Sequence, residues 1–239
     1  MSLGRPRYRD RRQAGEVLAE RLTAYANRPD VVVLALPRGG VPVGYEIARR
    51  LHAPLDVFLV RKIGVPGHEE LGMGAVASGG LLVLNRGLVQ SLGITEPVLR
   101  EVVTKELREL DRREQRYRQG RPPPSLTGKT LILVDDGLAT GSSMRAATEA
   151  LRQLGPAKIV VAVPIAEPET CEEFRAEVDE VVCAATPEPF LSVGLWYEDF
   201  TQTSDAEVEE LLHRAREELA GRTIRDPVQP ADSREESTP

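Results

Sequence analysis

The chain has 239 residues, of which 41% are hydrophobic and 28% charged, and its net charge at pH 7 is −6. This composition suits one large domain with a sizeable core. The acidic excess argues against a broad nucleic-acid-binding surface, because phosphate contacts normally need an excess of basic residues. The longest apolar runs, such as residues 31–37, are less than half of the ~20 residues that a membrane-spanning helix needs, which excludes a transmembrane segment.

Cysteine and histidine usage argues against a disulfide framework and against a metal site. The two cysteines, Cys171 and Cys183, lack metal-ligand spacing, and the three histidines are scattered. The N-terminal arginines are followed by a helical pattern, whereas a signal peptide needs an apolar core there. We therefore expect a cytoplasmic protein that has no metal site of its own.

Short apolar runs alternate with helical patterns in the first half of the chain. Residues 31–36 (VVVLAL) are continuously apolar, as in a strand that is buried on both faces of a parallel sheet. Residues 61–74 are rich in glycine and charge and are predicted to be a loop. Ser78-Gly79-Gly80 lies between two apolar runs and indicates a hairpin. The other elements predicted here are helices at 10–25 and 43–51 and strands at 55–60, 75–77 and 81–84.

The second half begins with a long helix predicted at residues 95–119, with Thr95 as its N-cap and a face of Glu and Arg that we interpret as solvated. Three prolines and many charges at residues 222–239 predict a disordered tail. The other elements predicted here are strands at 130–134, 159–165 and 181–185 and helices at 141–154, 168–178 and 206–220. This alternation predicts an α/β fold with a mainly parallel sheet flanked by helices.

Residues 131–144 carry the most informative pattern: an apolar strand ends in Asp135 and Asp136, and a loop of small residues then opens a helix. The N-terminus of a helix offers free backbone N–H groups and a positive dipole end, and both favour a phosphate. The adjacent carboxylates suit sugar hydroxyls and a developing cation, so the whole describes a site for a ribose 5-phosphate. Each half alone would favour a simpler interpretation, in which the carboxylates end a strand and the small residues cap a helix.

The combined pattern resembles the signature of the type I phosphoribosyltransferases. The resemblance implies that Asp135 and Asp136 hold the ribose hydroxyls of phosphoribosyl pyrophosphate (PRPP). It also implies a loop that binds the 5-phosphate, formed by Ala139, Thr140, Gly141, Ser142 and Ser143. Mg²⁺ would arrive with PRPP, because the chain offers no dedicated metal cage.

The segment Pro37-Arg38-Gly39-Gly40 is similar to the pyrophosphate loop of the same family. Its glycines, with Gly39 first, permit a close backbone approach, and Arg38 can bind the diphosphate. The resemblance implies a cis peptide bond between Pro37 and Arg38. The alternative is a trans bond in an ordinary strand-to-helix turn.

Arg61 and Lys62 end the next predicted strand and look like the beginning of the family's mobile catalytic loop. We expect the ends of three strands to converge on one edge of the sheet, where open α/β sheets bind ligands. One departure concerns Ala139, because family members that act on 6-oxopurines carry an acidic residue at this position. Proton transfer could come instead from the predicted loop, through His68, Glu69 or Glu70, although these can equally be ordinary polar loop residues.

The family also has a small hood over the acceptor base, and residues 186–203 are the candidate segment. Trp196, the only tryptophan, could stack on a planar base or could belong to the core. We predict a single domain at residues 1–221, with a core at about 28–185 and a hood that also includes the terminal helices. The resemblance covers about residues 31–163, so that the N-terminus and residues 95–124 look like additions.

The function that the resemblance implies is transfer of the 5-phosphoribosyl group from PRPP to a nitrogen acceptor, with a nucleobase as the favoured acceptor, and release of pyrophosphate. A homodimer is compatible with the sequence. One alternative is a PRPP-sensing regulator of the same fold that binds nucleic acid through the basic cluster Arg5, Arg7, Arg9, Arg11 and Arg12. A PRPP synthetase would need a second similar domain, and the sequence contains no internal repeat.

Overall fold

The computed structural model describes residues 7–225, with side chains up to residue 222. The described residues form eight strands: β1 (Val31–Ala35), β2 (Leu55–Val57), β3 (Val60–Val65), β4 (His68–Ala77), β5 (Leu81–Leu84), β6 (Thr130–Val134), β7 (Lys158–Ile165) and β8 (Glu180–Ala185). They also form seven α-helices: α1 (Arg11–Glu20), α2 (Gly40–Leu51), α3 (Arg86–Ser91), α4 (Glu96–Arg118), α5 (Ser142–Arg152), α6 (Pro168–Glu177) and α7 (Asp205–Arg225).

Five strands form a parallel sheet in the order β2-β1-β6-β7-β8. Because side chains alternate along a strand, Val31 and Val33 of β1 face one helical layer, and Val32 and Leu34 face the other. Side chains of α1, α2, α4 and α7 pack on the first face, and side chains of α5 and α6 pack on the second. All residues of β1 and β6 are buried, as their continuous apolar runs predict. The expected α/β fold is confirmed.

A second, antiparallel sheet is formed by β3, β4 and β5, and it corrects two sequence predictions. Residues 61–74, predicted to be a loop, lie almost entirely in the paired strands β3 and β4. The strand predicted at 55–60 ends at Val57, and the chain enters β3 at Val60. Glycine and charge are abundant here because the outer half of this hairpin is exposed to solvent. The hairpin predicted around residues 78–80 is confirmed as the turn between β4 and β5.

The ends of the chain differ from the predictions in extent. The last helix, α7, reaches Arg225, five residues beyond its predicted end. Residues 226–239, most of the predicted tail, lie outside the described residues, as do residues 1–6. The sequence pattern does not indicate α3, a six-residue helix capped by the side chain of Asn85. Within residues 7–225, no helix has the length and apolar character to cross a bilayer.

Cys171 of α6 and Cys183 of β8 form a disulfide bond that closes a separation of 12 residues. Two isolated cysteines do not predict this link, which ties α6 to an edge strand of the parallel sheet. Disulfides are rare in reducing compartments. The cytoplasmic location therefore gains no support from the cysteines and stays a prediction.

The C-terminal end of α4 is fixed to the edge of the parallel sheet by a nearly buried ion pair. Arg118 Nε donates to Asp56 Oδ2 at 3.0 Å, and Nη2 donates to the carbonyl oxygen of Val57 at 3.1 Å. Glu114, one turn earlier, lies 2.9 Å from Arg118 Nη1. Burial raises the pKa of Asp56, and the guanidinium of Arg118 opposes this shift. The positive charge of Arg118 therefore makes a buried carboxylate tolerable at this position.

We expect Arg118→Met to lower the free energy of unfolding by about 3–5 kcal/mol, because it leaves buried carboxylates without their counter-charge. Urea unfolding followed by circular dichroism measures the change. Arg112→Met is the matched control: Arg112 pairs with Glu109 on the exposed face of the same helix, and its loss should leave the free energy of unfolding nearly unchanged. Equal effects of the two substitutions would contradict the argument.

Candidate active site

Two adjacent strands deliver the candidate site residues to one edge of the parallel sheet. β1 and β6 pair in parallel, with Ala35 opposite Val134. The pairing continues one residue further, since Leu36 N donates to the carbonyl oxygen of Val134 at 2.8 Å. The segments that follow, residues 37–40 and 135–136, therefore lie side by side. This edge is where parallel α/β sheets bind ligands.

The glycines after β1 pack directly against the carboxylates after β6. A Cβ atom added to Gly39 would lie 2.7 Å from Asp136 Cγ, and one added to Gly40 would lie 2.7 Å from the carbonyl oxygen of Val134. Gly39 has φ −60°, an ordinary helical value, so the need for glycine there is one of space. The close approach predicted for Gly39 from the sequence is present, and its partner is the acidic pair.

The two carboxylates differ in their surroundings. Burial and the neighbouring carboxylate of Asp136 raise the pKa of Asp135 well above its ordinary value, although Asp135 Oδ1 accepts a 2.8 Å hydrogen bond from the backbone N–H of Asp136. Burial also raises the pKa of Asp136, and a hydrogen bond from Arg11 opposes this. Asp136 is therefore the member of the pair whose charge is supported by direct contact with a cation.

Arg11 is a site residue that the sequence analysis did not select. Its Nε donates to Asp136 Oδ2 at 2.7 Å across 125 residues of sequence, and both side chains are mostly buried, with 11% and 16% exposed. The only sequence signal was its membership of the basic N-terminal cluster. Within that cluster, Arg9 pairs with Asp10 and Arg12 with Glu46. These arginines are thus engaged inside the chain.

The small-residue loop ends at the N-terminus of α5, as predicted. Gly141 is the N-cap with φ +70°, and an added Cβ would lie 2.6 Å from Phe174 Cε2, so this position requires glycine. Thr170 Oγ1 donates to the carbonyl oxygen of Ala139 at 2.7 Å, and Arg145 Nη1 donates to that of Thr140 at 2.9 Å. Side chains of α5 and α6 thus bind two carbonyl groups of the loop. Ala139, Thr140 and Ser143 are exposed, and Ser142 is partly exposed.

Arg38 lies in the loop after β1, and the peptide bond between Pro37 and Arg38 is cis, which confirms the prediction. Its guanidinium is 3.8 Å from Asp205 Oδ1 at the beginning of α7. A cleft of about 510 Å³ opens here, beside the acidic pair. It is lined by Arg11, Arg38, Gly39, Asp136, Phe200, Gln202 and Thr203.

Arg61 and Lys62 lie elsewhere, and the expected convergence of three strand ends is wrong for the third strand. Both residues belong to β3, because the predicted strand breaks at Val57. Arg61 Nε donates to Glu106 Oε2 of α4 at 2.6 Å, whereas Lys62 is exposed. They line a separate cleft of about 1550 Å³ between the β3–β4 hairpin and α4. The proton-transfer candidates His68, Glu69 and Glu70 are exposed near the tip of this hairpin.

The predicted hood segment packs onto the N-terminal segment and the end of β7. Tyr8, Ala14, Ile165 and Tyr197 form a small buried cluster, and Trp196 packs against it together with Phe190, Val193 and Phe200. The indole N–H of Trp196 is closed off from solvent without an acceptor in the described part of the chain. This packing favours the core interpretation of Trp196 over a stacking role.

The hood also contacts the acidic pair and the residue that follows it. Tyr197 OH donates to the backbone oxygen of Asp136 at 2.6 Å. A Cβ added to Gly137 would lie 2.7 Å from Val193 Cγ2, so the loop after the acidic pair is packed beneath the hood. In residues 7–225, no group of three or more His, Cys, Asp or Glu side chains could hold a metal ion.

Comparisons with known proteins match one family over most of the chain. The family described as phosphoribosyl transferase domain matches residues 9–194, a wider span than the resemblance covers. A Mycobacterium tuberculosis protein named provisionally as a phosphoribosyl transferase is 47% identical over 211 residues, which are 88% of this chain and 47% of that protein. The chain thus spans about half the length of the curated relatives it matches.

Two further similarities differ greatly in extent. The crystal structure of TT1426 from Thermus thermophilus has 45% sequence identity and a TM-score of 0.77, and the match covers 87% of this chain and 98% of that chain. The Bifunctional protein PyrR of Chloroflexus aurantiacus is 51% identical over only 51 residues, which are 21% of this chain and 28% of that protein.

The contact of Gly39 with Asp136 gives a stability prediction. We expect Gly39→Ala to lower the free energy of unfolding by about 1–3 kcal/mol, because the added methyl group overpacks the space that the Asp136 carboxylate occupies. Chemical unfolding monitored by circular dichroism measures this. Gly72→Ala serves as the control, since nothing lies within 4 Å of its added Cβ. A neutral Gly39→Ala would refute the close packing.

Proposed function

The chain belongs to the phosphoribosyl transferase domain family, and we propose that it transfers the 5-phosphoribosyl group of PRPP to a nitrogen acceptor. Because the chain spans only part of its curated relatives, the activity is proposed for this chain and not for those whole proteins. A cytoplasmic location is a further expectation of the same proposal, and a homodimer is compatible with it.

The observation that carries the proposal is the arrangement of three backbone segments at the ends of β1 and β6. The acidic pair, the close-packed glycines at the beginning of α2 and the N-terminus of α5 follow two neighbouring strands. Carboxylates accept hydrogen bonds from ribose hydroxyls, and the amides of a helix N-terminus favour a phosphate. Arg38, in the cleft beside Asp136, supplies positive charge for a diphosphate. PRPP combines these three chemical groups in one molecule.

The proposed reaction replaces a C1′–O bond of PRPP with a C1′–N bond to the acceptor. The bond between C1′ of PRPP and the diphosphate oxygen breaks, and the diphosphate leaves with the electron pair. A bond forms between C1′ and a nitrogen lone pair of the acceptor, and that nitrogen then loses a proton to water or to a side chain. Asp135 and Asp136 favour the positive charge that develops on the ribose, and Arg38 favours the negative charge on the leaving group.

Mg²⁺ enters this proposal as part of the substrate, since phosphates are its usual partners in such sites. The described residues offer no cluster of three acidic or histidine ligands near the pair. The chain therefore fits a metal that PRPP carries in through its own oxygens. When bound, the ion supplies charge neutralisation of the diphosphate.

The proposed acceptor is a nucleobase. Ala139 has no carboxylate to offer to the base, which disfavours a 6-oxopurine of the hypoxanthine type. Pyrophosphate release in the presence of Mg²⁺ and PRPP, measured with each common nucleobase in turn, tests this choice. If none of the bases supports pyrophosphate release, a nucleobase acceptor is rejected. PRPP binding is then tested separately.

A nucleic-acid-binding regulator of the same fold remains the alternative. The short similarity to PyrR is the observation in its favour. Against it, Arg9, Arg11 and Arg12 of the basic cluster are paired within the chain. Binding to RNA or DNA whose affinity falls steeply with salt would favour the alternative.

We expect the double variant Asp135→Asn and Asp136→Asn to lose phosphoribosyl transfer by about 100-fold or more, because both carboxylates that favour the ribose cation become neutral. Turnover is measured by pyrophosphate release, and circular dichroism checks the fold. Asp111→Asn, at an exposed position of α4, is the control for the loss of a carboxylate. Near-normal turnover in a folded double variant would overturn the assignment of the acidic pair.

We also expect sulfate or phosphate to bind at the backbone N–H groups of residues 140–143. The N-terminus of α5 provides unpaired amides and a positive dipole end, both of which favour an anion. A crystal soaked in either anion shows the result directly. An ordered loop without an anion at a high sulfate concentration would count against a phosphate site.

A further inference from the structure

The side chain of Arg11 joins three parts of the molecule that are distant in sequence. It extends from the first turn of α1 to the carboxylate of Asp136, with Nε at 2.7 Å from Oδ2. Its Nη1 donates to the carbonyl oxygen of Thr201 at 2.7 Å, and its guanidinium lies 3.8 Å from the centre of the Phe200 ring. Arg11 thus holds the C-terminal part of the hood and the acidic pair at once.

The hood reaches Asp136 by a second route. Tyr197 OH donates to the backbone oxygen of Asp136, and the Tyr197 ring lies 5.0 Å from that of Phe200. Asp136 is therefore held at its backbone through Tyr197 and at its carboxylate through Arg11. The Arg11 contact uses Oδ2, which leaves Oδ1 for a ligand hydroxyl.

Resting on the proposed function, we propose that Arg11 is a positioning residue, which fixes the Asp136 carboxylate for the ribose of PRPP and couples it to the hood. Arg11 acts on the substrate through Asp136. A planar guanidinium suits this task, because its separate N–H groups can bind a carboxylate and a carbonyl oxygen at the same time.

The charge of Arg11 has a second consequence, for the pH dependence of the reaction. Burial raises the pKa of Asp136 and Arg11 opposes this, so removing Arg11 raises that pKa further. A carboxylate that must be ionised then loses activity at a higher pH, and the acidic limb of kcat/KM moves upward. The other titratable or charged groups near Asp136 are Asp135 beside it, Arg38 across the cleft, and Tyr197 of the hood.

The test compares Arg11→Met with Arg12→Met on the same helix. Arg12 also pairs with a carboxylate, that of Glu46, but Glu46 keeps a second partner in Arg49 at 2.6 Å. We expect Arg11→Met to raise the KM for PRPP by about 10- to 100-fold, as for the loss of a hydrogen bond between charged groups. It should also move the acidic limb to higher pH, whereas Arg12→Met should leave both quantities unchanged.

Two more measurements separate positioning from simple stabilisation. Arg11→Lys keeps the positive charge but loses the planar guanidinium with its separate N–H groups. It should therefore return the acidic limb of kcat/KM to its wild-type position, while the KM for PRPP stays raised. Trp196 is the only tryptophan and packs against the buried cluster that contains Tyr8 and Tyr197. If Arg11→Met loosens the hood, acrylamide should quench the fluorescence of Trp196 more strongly. If Arg11→Met does not fold, Arg11→Gln takes its place in each measurement.

The outcomes are distinguishable. If the wild-type protein binds no PRPP by calorimetry, the proposed function fails, and the positioning role fails with it. If the wild type binds PRPP but Arg11→Met matches Arg12→Met in KM, pH profile and quenching, only the positioning role is overturned. A loss of stability without any change in these three quantities would make Arg11 a structural ion pair and would likewise overturn the proposal.

Discussion

The structure depends on one close approach, that of the backbone at Gly39 and Gly40 to the carboxylates at the end of β6. Two parallel strands bring their carboxyl ends to the same edge of a sheet, but most side chains at positions 39 and 40 would force the segments apart. Glycine removes that obstacle. A cation-bearing turn then lies beside two carboxylates, and the cleft forms between them.

This arrangement places two carboxylates in a largely buried position, which is costly for their charged forms. The two carboxylates are stabilised by different groups. Asp135 takes a backbone N–H, and its pKa rises well above the ordinary range, whereas Asp136 receives the guanidinium of Arg11. Separate environments suit two adjacent carboxylates, because their charges would otherwise repel each other.

Sequence patterns predicted the parallel sheet and the acidic pair because both are local signals. The burial of residues 31–36 and 131–134 is evident from a few consecutive apolar residues in the sequence. The β3–β4 hairpin was wrongly predicted as a loop because exposed antiparallel strands tolerate the glycines and charges that are typical of loops. Arg11 could not be assigned, since its partner lies 125 residues away and its neighbours suggested a surface cluster. Long-range pairing leaves no periodic trace in a single sequence.

The N-terminal segment, which looked like an addition to the minimal fold, is part of the site's support. Tyr8 OH donates to the carbonyl oxygen of Pro164 in β7, and Tyr8 lies in the same cluster as Tyr197. Tyr197 in turn holds the backbone of Asp136, and Val193 covers Gly137. The hood is thus seated on the N-terminal segment and the end of β7, and it contacts the acidic pair itself. Because these contacts are continuous, a displacement of the hood cannot leave the geometry of Asp136 unaffected.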